Sequence, residues 1–197
     1  MPGGWFEEMH MRFLIASAAL CLIAFAPALA ATDLSLPPFS AIDTHGGGRV
    51  VLHHGPAQKV TVIKGDLKIS RVSVQNGTLT VDPCPTSCWL QSPELEVDVV
   101  SPDVHALSAH GGGSIAATGP FPTQSQLAAS VHGGGLVDAR AIPAENIAAE
   151  AHGGGTIKVR PLAALGASVH GGGSIIYVGN PPKIASSTHG GGSITKE

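Results

Sequence analysis

The sequence is short of aromatic and charged residues, which make up 4% and 13% of the chain. Beyond residue 30 the aromatics are Phe39, Trp89, Phe121 and Tyr177. Stacking recognition of sugars or single-stranded nucleic acid needs several rings on one face, so that mode is disfavoured. Trp89 has two open roles, an anchor for a partner or a lid over the core. The formal net charge of −3 supplies no basic stripe for a phosphate backbone. No Gly-x-Ser-x-Gly elbow occurs, which removes one route to a serine nucleophile. Cysteine is scarce too. Cys84 and Cys88 in "DPCPTSCW" lack a second Cys or His pair at zinc-site spacing, leaving a small disulfide loop or two free thiols.

Glycine (26) and proline (15) are abundant, yet 43% of residues are hydrophobic. That fraction is too large for disorder and fits an ordered, turn-rich β protein. The N-terminus reads as a signal peptide, residues 1–30. The apolar run "FLIASAALCLIAFAPALA" ends in Ala28-Leu29-Ala30, a small-x-small cleavage pattern before Ala31. Glu7 and Glu8 suit a positive n-region badly, so Met11 is an alternative start. Cys21 follows Leu20 rather than a small residue, which weakens a lipoprotein reading. No other segment reads as a membrane-spanning helix, and no membrane barrel is expected after Glu197. Residues 31–197 are expected to form one domain.

The dominant feature is His-Gly-Gly-Gly, which begins at His45, His110, His132, His152, His170 and His189, at intervals of 65, 22, 20, 18 and 19 residues. A period near 20 that tolerates small insertions marks a solenoid, whose coils bury apolar faces on one another. Three consecutive glycines exclude a helix locally, at about 1 kcal/mol each. Five residues after each histidine stand Val50, Ile115, Val137, Ile157, Ile175 and Ile194, all β-branched. Just before it stand Thr44, Ala109, Val131, Ala151, Val169 and Thr188, and three before it Ile42, Leu107, Ala129, Ala149, Ala167 and Ser186. Odd offsets therefore point inward and even ones outward. The histidines and the column two residues earlier (Asp43, Ser108, Ser130, Glu150, Ser168, Ser187) face out. The gap of 65 holds either two coils without the motif or an excursion. Within it "RVSVQNGTLTV" predicts a hairpin about Asn76-Gly77, residues 82–94 predict a surface loop, and "LEVDVV" predicts a strand. Whether His45 adjoins the other five stays open at this level.

The ordered set "FSAIDTHGGGRVVLHHG", "VTVIKGD", "VSVQNGTLTV", "LEVDVVSPDVHALSAHGGGSI" and the later glycine corners resembles the auto-transporter adhesin head GIN domain family of exported bacterial proteins. The resemblance implies an all-β, right-handed parallel β-solenoid and an envelope location, in the periplasm or on the outer surface. It also implies adhesion or scaffolding. Family corners are mostly Ser-Gly-Ser-Gly-like, whereas each corner here starts with histidine.

Three chemistries suit the histidine column. Stacked flat rings, with Nδ1 bonded to a corner backbone group, would be structural. Neighbouring rungs converging on zinc, copper or nickel would make a metal site, with candidates His110, His132, Glu150, His152, His170 and His189. A Ser–His reading of Ser130/His132 or Ser168/His170 is disfavoured, because an outward polar column recurs on every coil. Strand spacing near 4.8 Å places adjacent charged rings so that they repel by about 3 kcal/mol at an effective dielectric of 20. The row should resist full protonation, and stability should fall as pH drops below the ordinary histidine range. Asp138 and Lys158 are expected to share a column as a solvated ion pair, and Arg140 and Arg160 to share another where two stacked guanidinium groups could clasp an anion. Strand edges at the last coil, guarded only by Lys196 and Glu197, would permit end-to-end association. The expectation is an exported, non-enzymatic surface-interaction module, with a periplasmic metal-binding protein as the alternative.

Overall fold

The computed structural model describes residues 31–86 and 93–197. The predicted signal peptide, Cys88 and Trp89 lie outside the described residues. Cys84 is disulfide-bonded.

The fifteen strands form one continuous sheet wound into a β-solenoid, and no helix occurs among the described residues. Strands β1 (Thr32–Leu34), β2 (Ala41–Thr44), β3 (Arg49–His54), β4 (Lys59–Lys64), β5 (Arg71–Gln75), β6 (Thr78–Asp82) and β7 (Glu96–Ser101) build the first part. The repeat array follows as β8 (Ala106–Gly111), β9 (Ser114–Thr118), β10 (Gln124–Gly133), β11 (Leu136–Gly153), β12 (Thr156–Gly171), β13 (Ser174–Tyr177), β14 (Lys183–His189) and β15 (Ser193–Lys196).

Each motif is a corner between two parallel ladders. On one side β2, β8, β10, and the second halves of β11 and β12 stack in register up to β14, with His132 opposite both His110 and His152, and His170 opposite His189. On the other side β3, β9, the first halves of β11 and β12, β13 and β15 stack with Val50, Ile115, Val137, Ile157, Ile175 and Ile194 in line. The period-2 expectation holds. Leu107, Ala129, Ala149, Val131, Ala151, Ile115, Val137 and Ile157 are all at most 2% exposed. Each stacked isoleucine contributes roughly 1.5–3 kcal/mol by leaving water. At the last rung Ser186 and Thr188 replace apolar residues, and β14 is exposed throughout.

The three glycines of a corner have different duties. Gly153 has φ +110°, a conformation that L side chains rarely adopt, and a Cβ there would lie 2.8 Å from the carbonyl oxygen of Gly133. A Cβ on Gly155 would lie 2.6 Å from the carbonyl oxygen of Gly135 and strike the side chain of Val131. Between them, Gly154 has ordinary φ and nothing within 4 Å of its would-be Cβ.

The long gap before His110 is an excursion that caps the tower. Asn76 (φ 51°) and Gly77 (φ 75°) make the predicted tight turn joining antiparallel β5 and β6. β6 then lies parallel to β2, and β7 parallel to β3, on the side away from the array. β4 and β1 add antiparallel strands beyond β7. Gln58 secures the join by accepting from the Phe39 amide at 3.1 Å and donating to the Phe39 carbonyl and to Ser101 Oγ. The chain therefore returns to lay β8 directly on β2. His45 is a neighbour of His110.

Two expected columns differ. Asp138 does lie opposite Lys158, but its carboxylate is held by Arg140 at 2.9 and 2.7 Å. Arg140 and Arg160 do not align, because the register shifts between Asp138 and Pro143 and places Pro143 opposite Arg160. The coil from His132 to His152 is two residues longer than the next; this bend takes up three extra residues, and a second shift between Ala144 and Asn146 gives one back. Arg140 also binds Glu197 at 2.9 Å, so no arginine pair is available to clasp an anion.

Candidate functional site

The candidate site is the outer face of the ladder that ends in the histidines. Six imidazoles stack with centroids 4.9–5.0 Å apart and planes within 10° of parallel: His45, His110, His132, His152, His170 and His189. Parallel strands in register impose this spacing, since each ring rides on its own strand and the pitch is the strand separation. The rings remain roughly 40% exposed, as at His45, His110 and His152.

One edge of the ring faces the polar column two residues earlier in His45, His110, His152, His170 and His189. Nε2 lies 3.0 Å from Asp43 Oδ2 in His45, 3.1 Å from Ser108 Oγ in His110 and 3.0 Å from Ser168 Oγ in His170. His189 faces Ser187 through Nδ1 at 3.4 Å, and His152 Nε2 lies 4.0 Å from Glu150. The expected bond from Nδ1 to a corner backbone group is not made. Corner amides are used along the axis instead, Gly134 donating to Gly111 and Gly154 to Gly133. The Nδ1 atoms of His45, His110 and His170 have no protein partner among the described residues.

This arrangement is not a chelate. Among the described residues, no group of three or more His, Cys, Asp or Glu side chains is placed to hold a metal ion. The physical reason is the stacking: two ligands at about 2.0–2.1 Å from one ion span at most about 4.2 Å, less than the 4.9 Å between rings. Lone pairs in the ring planes also point out of the stack, not along it. Of the metal candidates, His110, His132, His152, His170 and His189 are brought into one row, while Glu150 stands beside His152 without bridging two rungs.

Nor is it a catalytic triad. Such a triad places the nucleophile on one imidazole nitrogen and a carboxylate on the other. Here Ser108 Oγ and Asp43 Oδ1 (3.4 Å) both face Nε2 of His110.

The rest of this face is small. Four residues before each histidine stand Ala41, Ala106, Ala128, Ala148, Gly166 and Ala185, half-buried or exposed and aligned across the rungs. Alanine and glycine are poor strand formers, and no core packing demands them on an outer face. Reasoning from the apolar columns alone missed this stripe; outward columns of the repeat would have shown it.

The chain is thus a histidine-cornered β-solenoid with a capped end and a repeating outer face. The model of the family described as "Putative auto-transporter adhesin, head GIN domain" matches residues 38–126 and 122–181, and the chain belongs to that family. Among solved structures, a putative adhesin from Bacteroides fragilis shares 18% identity over 85% of this chain and 96% of its own, with a TM-score of 0.53. A putative lipid binding protein from Parabacteroides distasonis (17%, 85% and 96%, TM-score 0.42) and a putative adhesin from Parabacteroides merdae (13%, 85% and 95%, TM-score 0.38) are also similar. At such identities the first of these speaks for the fold alone. A search of curated proteins gives no match.

Proposed function

We propose that the protein is an exported, non-enzymatic, adhesin-like surface-interaction module of a bacterial cell envelope. Membership of the adhesin-head family supports the adhesin-like role. The observation that carries the reading is the outer face itself, a flat row of half-exposed imidazoles, hydroxyls and small side chains repeated on successive rungs. Such a face suits contact with an extended surface better than enclosure of a small substrate. The test combines location and contact. The full-length precursor, expressed in a bacterial host, should appear in the envelope fraction with residues 1–30 removed, and purified protein should be retained on isolated envelopes. A cytoplasmic location, or no retention above that of an unrelated solenoid, would overturn the reading.

A further inference from the structure

The middle glycine of the corner is a demand without a structural cause. Gly47, Gly154, Gly172 and Gly191 have nothing within 4 Å of a would-be Cβ, and the nearest atoms to those of Gly112 and Gly134 are single carbonyl oxygens at 3.4 and 3.9 Å. None of the six has positive φ. The fold would accept a side chain at each, yet all six are bare. Bare ground therefore flanks the histidine row on one side, and the alanine stripe flanks its serine column on the other. Beyond the alanines lies a depression of about 510 Å³ that borders Ala128 and Ala148 and is lined in part by Gln126, Asn146 and His105.

We propose that this face binds a linear acidic polysaccharide along the solenoid axis, one sugar per rung, with the histidine row contacting its carboxylates in the protonated state. The inference rests on the surface-interaction reading above and names its ligand. The row is about 25 Å long and the face about 13 Å wide by strand geometry, roughly 300 Å². That is well under the roughly 800 Å² per partner of a stable protein–protein interface, so a second copy does not fit it, whereas an extended chain does. A pyranose residue in an extended polymer advances by close to one strand spacing, which matches the 4.9 Å pitch. Single-stranded nucleic acid would need aromatic platforms, and the face has only imidazoles.

Charge decides the pH range. The carboxylates facing the row are Asp43 on β2, against His45 and His110, and Glu150 on β11, near His152. Asp82 on β6 follows Val81, the partner of Thr44, and so ends the column, its Oδ1 accepting from the Cys84 amide. β8, β10, β12 and β14 contribute only Ser108, Ser130, Ser168 and Ser187. Six imidazoles thus stand against two facing carboxylates, so a protonated row carries an excess of positive charge. A polyanion of matching pitch then relieves the repulsion between rings, so binding takes up protons. In His110, His170 and His189 one ring nitrogen stays on the serine two residues earlier and the other faces outward. The hydroxyls and amides at the rim suit sugar hydroxyls.

The experiment uses the purified chain and a ten-sugar oligomannuronate, followed by calorimetry at pH 5.0 and 7.5. Binding at pH 5.0 should weaken at least tenfold at pH 7.5, with proton uptake seen as a dependence of the heat on buffer. A variant combining H132Q, H152Q and H170Q should lose both the affinity and the pH dependence. A second variant, G134Q with G154Q, should lose at least tenfold in affinity with no fall in melting temperature, because it fills only the open ledge. Equal binding at both pH values, no binding at pH 5.0, undiminished binding by either variant, or equal affinity for polyphosphate or an uncharged decasaccharide would overturn the assignment. Envelope retention is measured on the same proteins. If the histidine variant is retained as well as the parent, the surface-interaction reading stands and the polysaccharide assignment falls. Polymer binding without envelope retention does the opposite, keeping the assignment and removing the surface-interaction reading.

Discussion

The corner His152-Gly153-Gly154-Gly155 makes a sharp prediction, since adjacent glycines in it should respond to alanine with opposite signs. At Gly155 the new methyl group would sit 2.6 Å from the Gly135 carbonyl oxygen and against Val131. Neither can retreat, since the carbonyl accepts from the Thr156 amide at 2.9 Å and Val131 is fully buried. Overpacking of this kind costs about 1–3 kcal/mol, or a fall in melting temperature of roughly 2–12 °C for a domain of this size. At Gly153 the cost comes from φ +110° and from the Gly133 oxygen at 2.8 Å, again about 1–3 kcal/mol. At Gly154 nothing is touched, and the unfolded chain loses freedom, so Gly154→Ala should stabilise by about 0.4–1 kcal/mol. Circular dichroism melts of the three single variants read this directly. If Gly154→Ala proves as damaging as Gly155→Ala, the division of labour among the three glycines is wrong, and so is the claim that the ledge is free.

Two further outcomes follow from named contacts. Burial pushes the Asp138 carboxyl up, but the side-chain and backbone hydrogen bonds of Arg140 and the nearby Lys158 outweigh it and hold it below its ordinary value. A depressed carboxyl contributes stability above its unfolded pKa that is lost as pH falls through the folded one. Arg140→Gln should thus cost up to about 1 kcal/mol at pH 7, and the difference from the parent should shrink in melts as pH falls through the depressed Asp138 value. Gln58→Ala leaves the Phe39 amide without its side-chain acceptor. It should cost about 1–3 kcal/mol, with faster hydrogen exchange at β2 and β7; unchanged exchange there would show that Gln58 does not secure the cap.

Much of the fold was legible because the solenoid repeats its inward columns. Val50, Ile115, Val137, Ile157 and Ile175 align in sequence and stack in space. The histidine row followed from the same alignment. The place of His45 was not legible, because local pattern cannot tell whether an excursion closes on itself or advances the tower. Only the parallel pairing of β2 with both β6 and β8 decides it. The Arg140–Arg160 column failed for a related reason. Coils of 20 and 18 residues differ in arc length, and the position of the bulge that absorbs the difference is a matter of packing around Ile142 and Ala144, not of periodicity. Ring orientation also lay beyond the sequence, since Nε2 turned toward the serine column rather than toward the corner backbone.

The sandwiching of β2 between β6 and β8 has a consequence for how the molecule assembles. Its earliest array strand waits for a segment that arrives more than thirty residues later, whereas each strand from β10 onward needs only the coil just before it. The long-range closures are confined to this first part, where β6 and β8 join β2 and β7 joins β3, and every addition from β10 onward is short-range. A chain emerging amino end first would thus lay its foundation before the later repeats appear, and then grow upward course by course, like masonry.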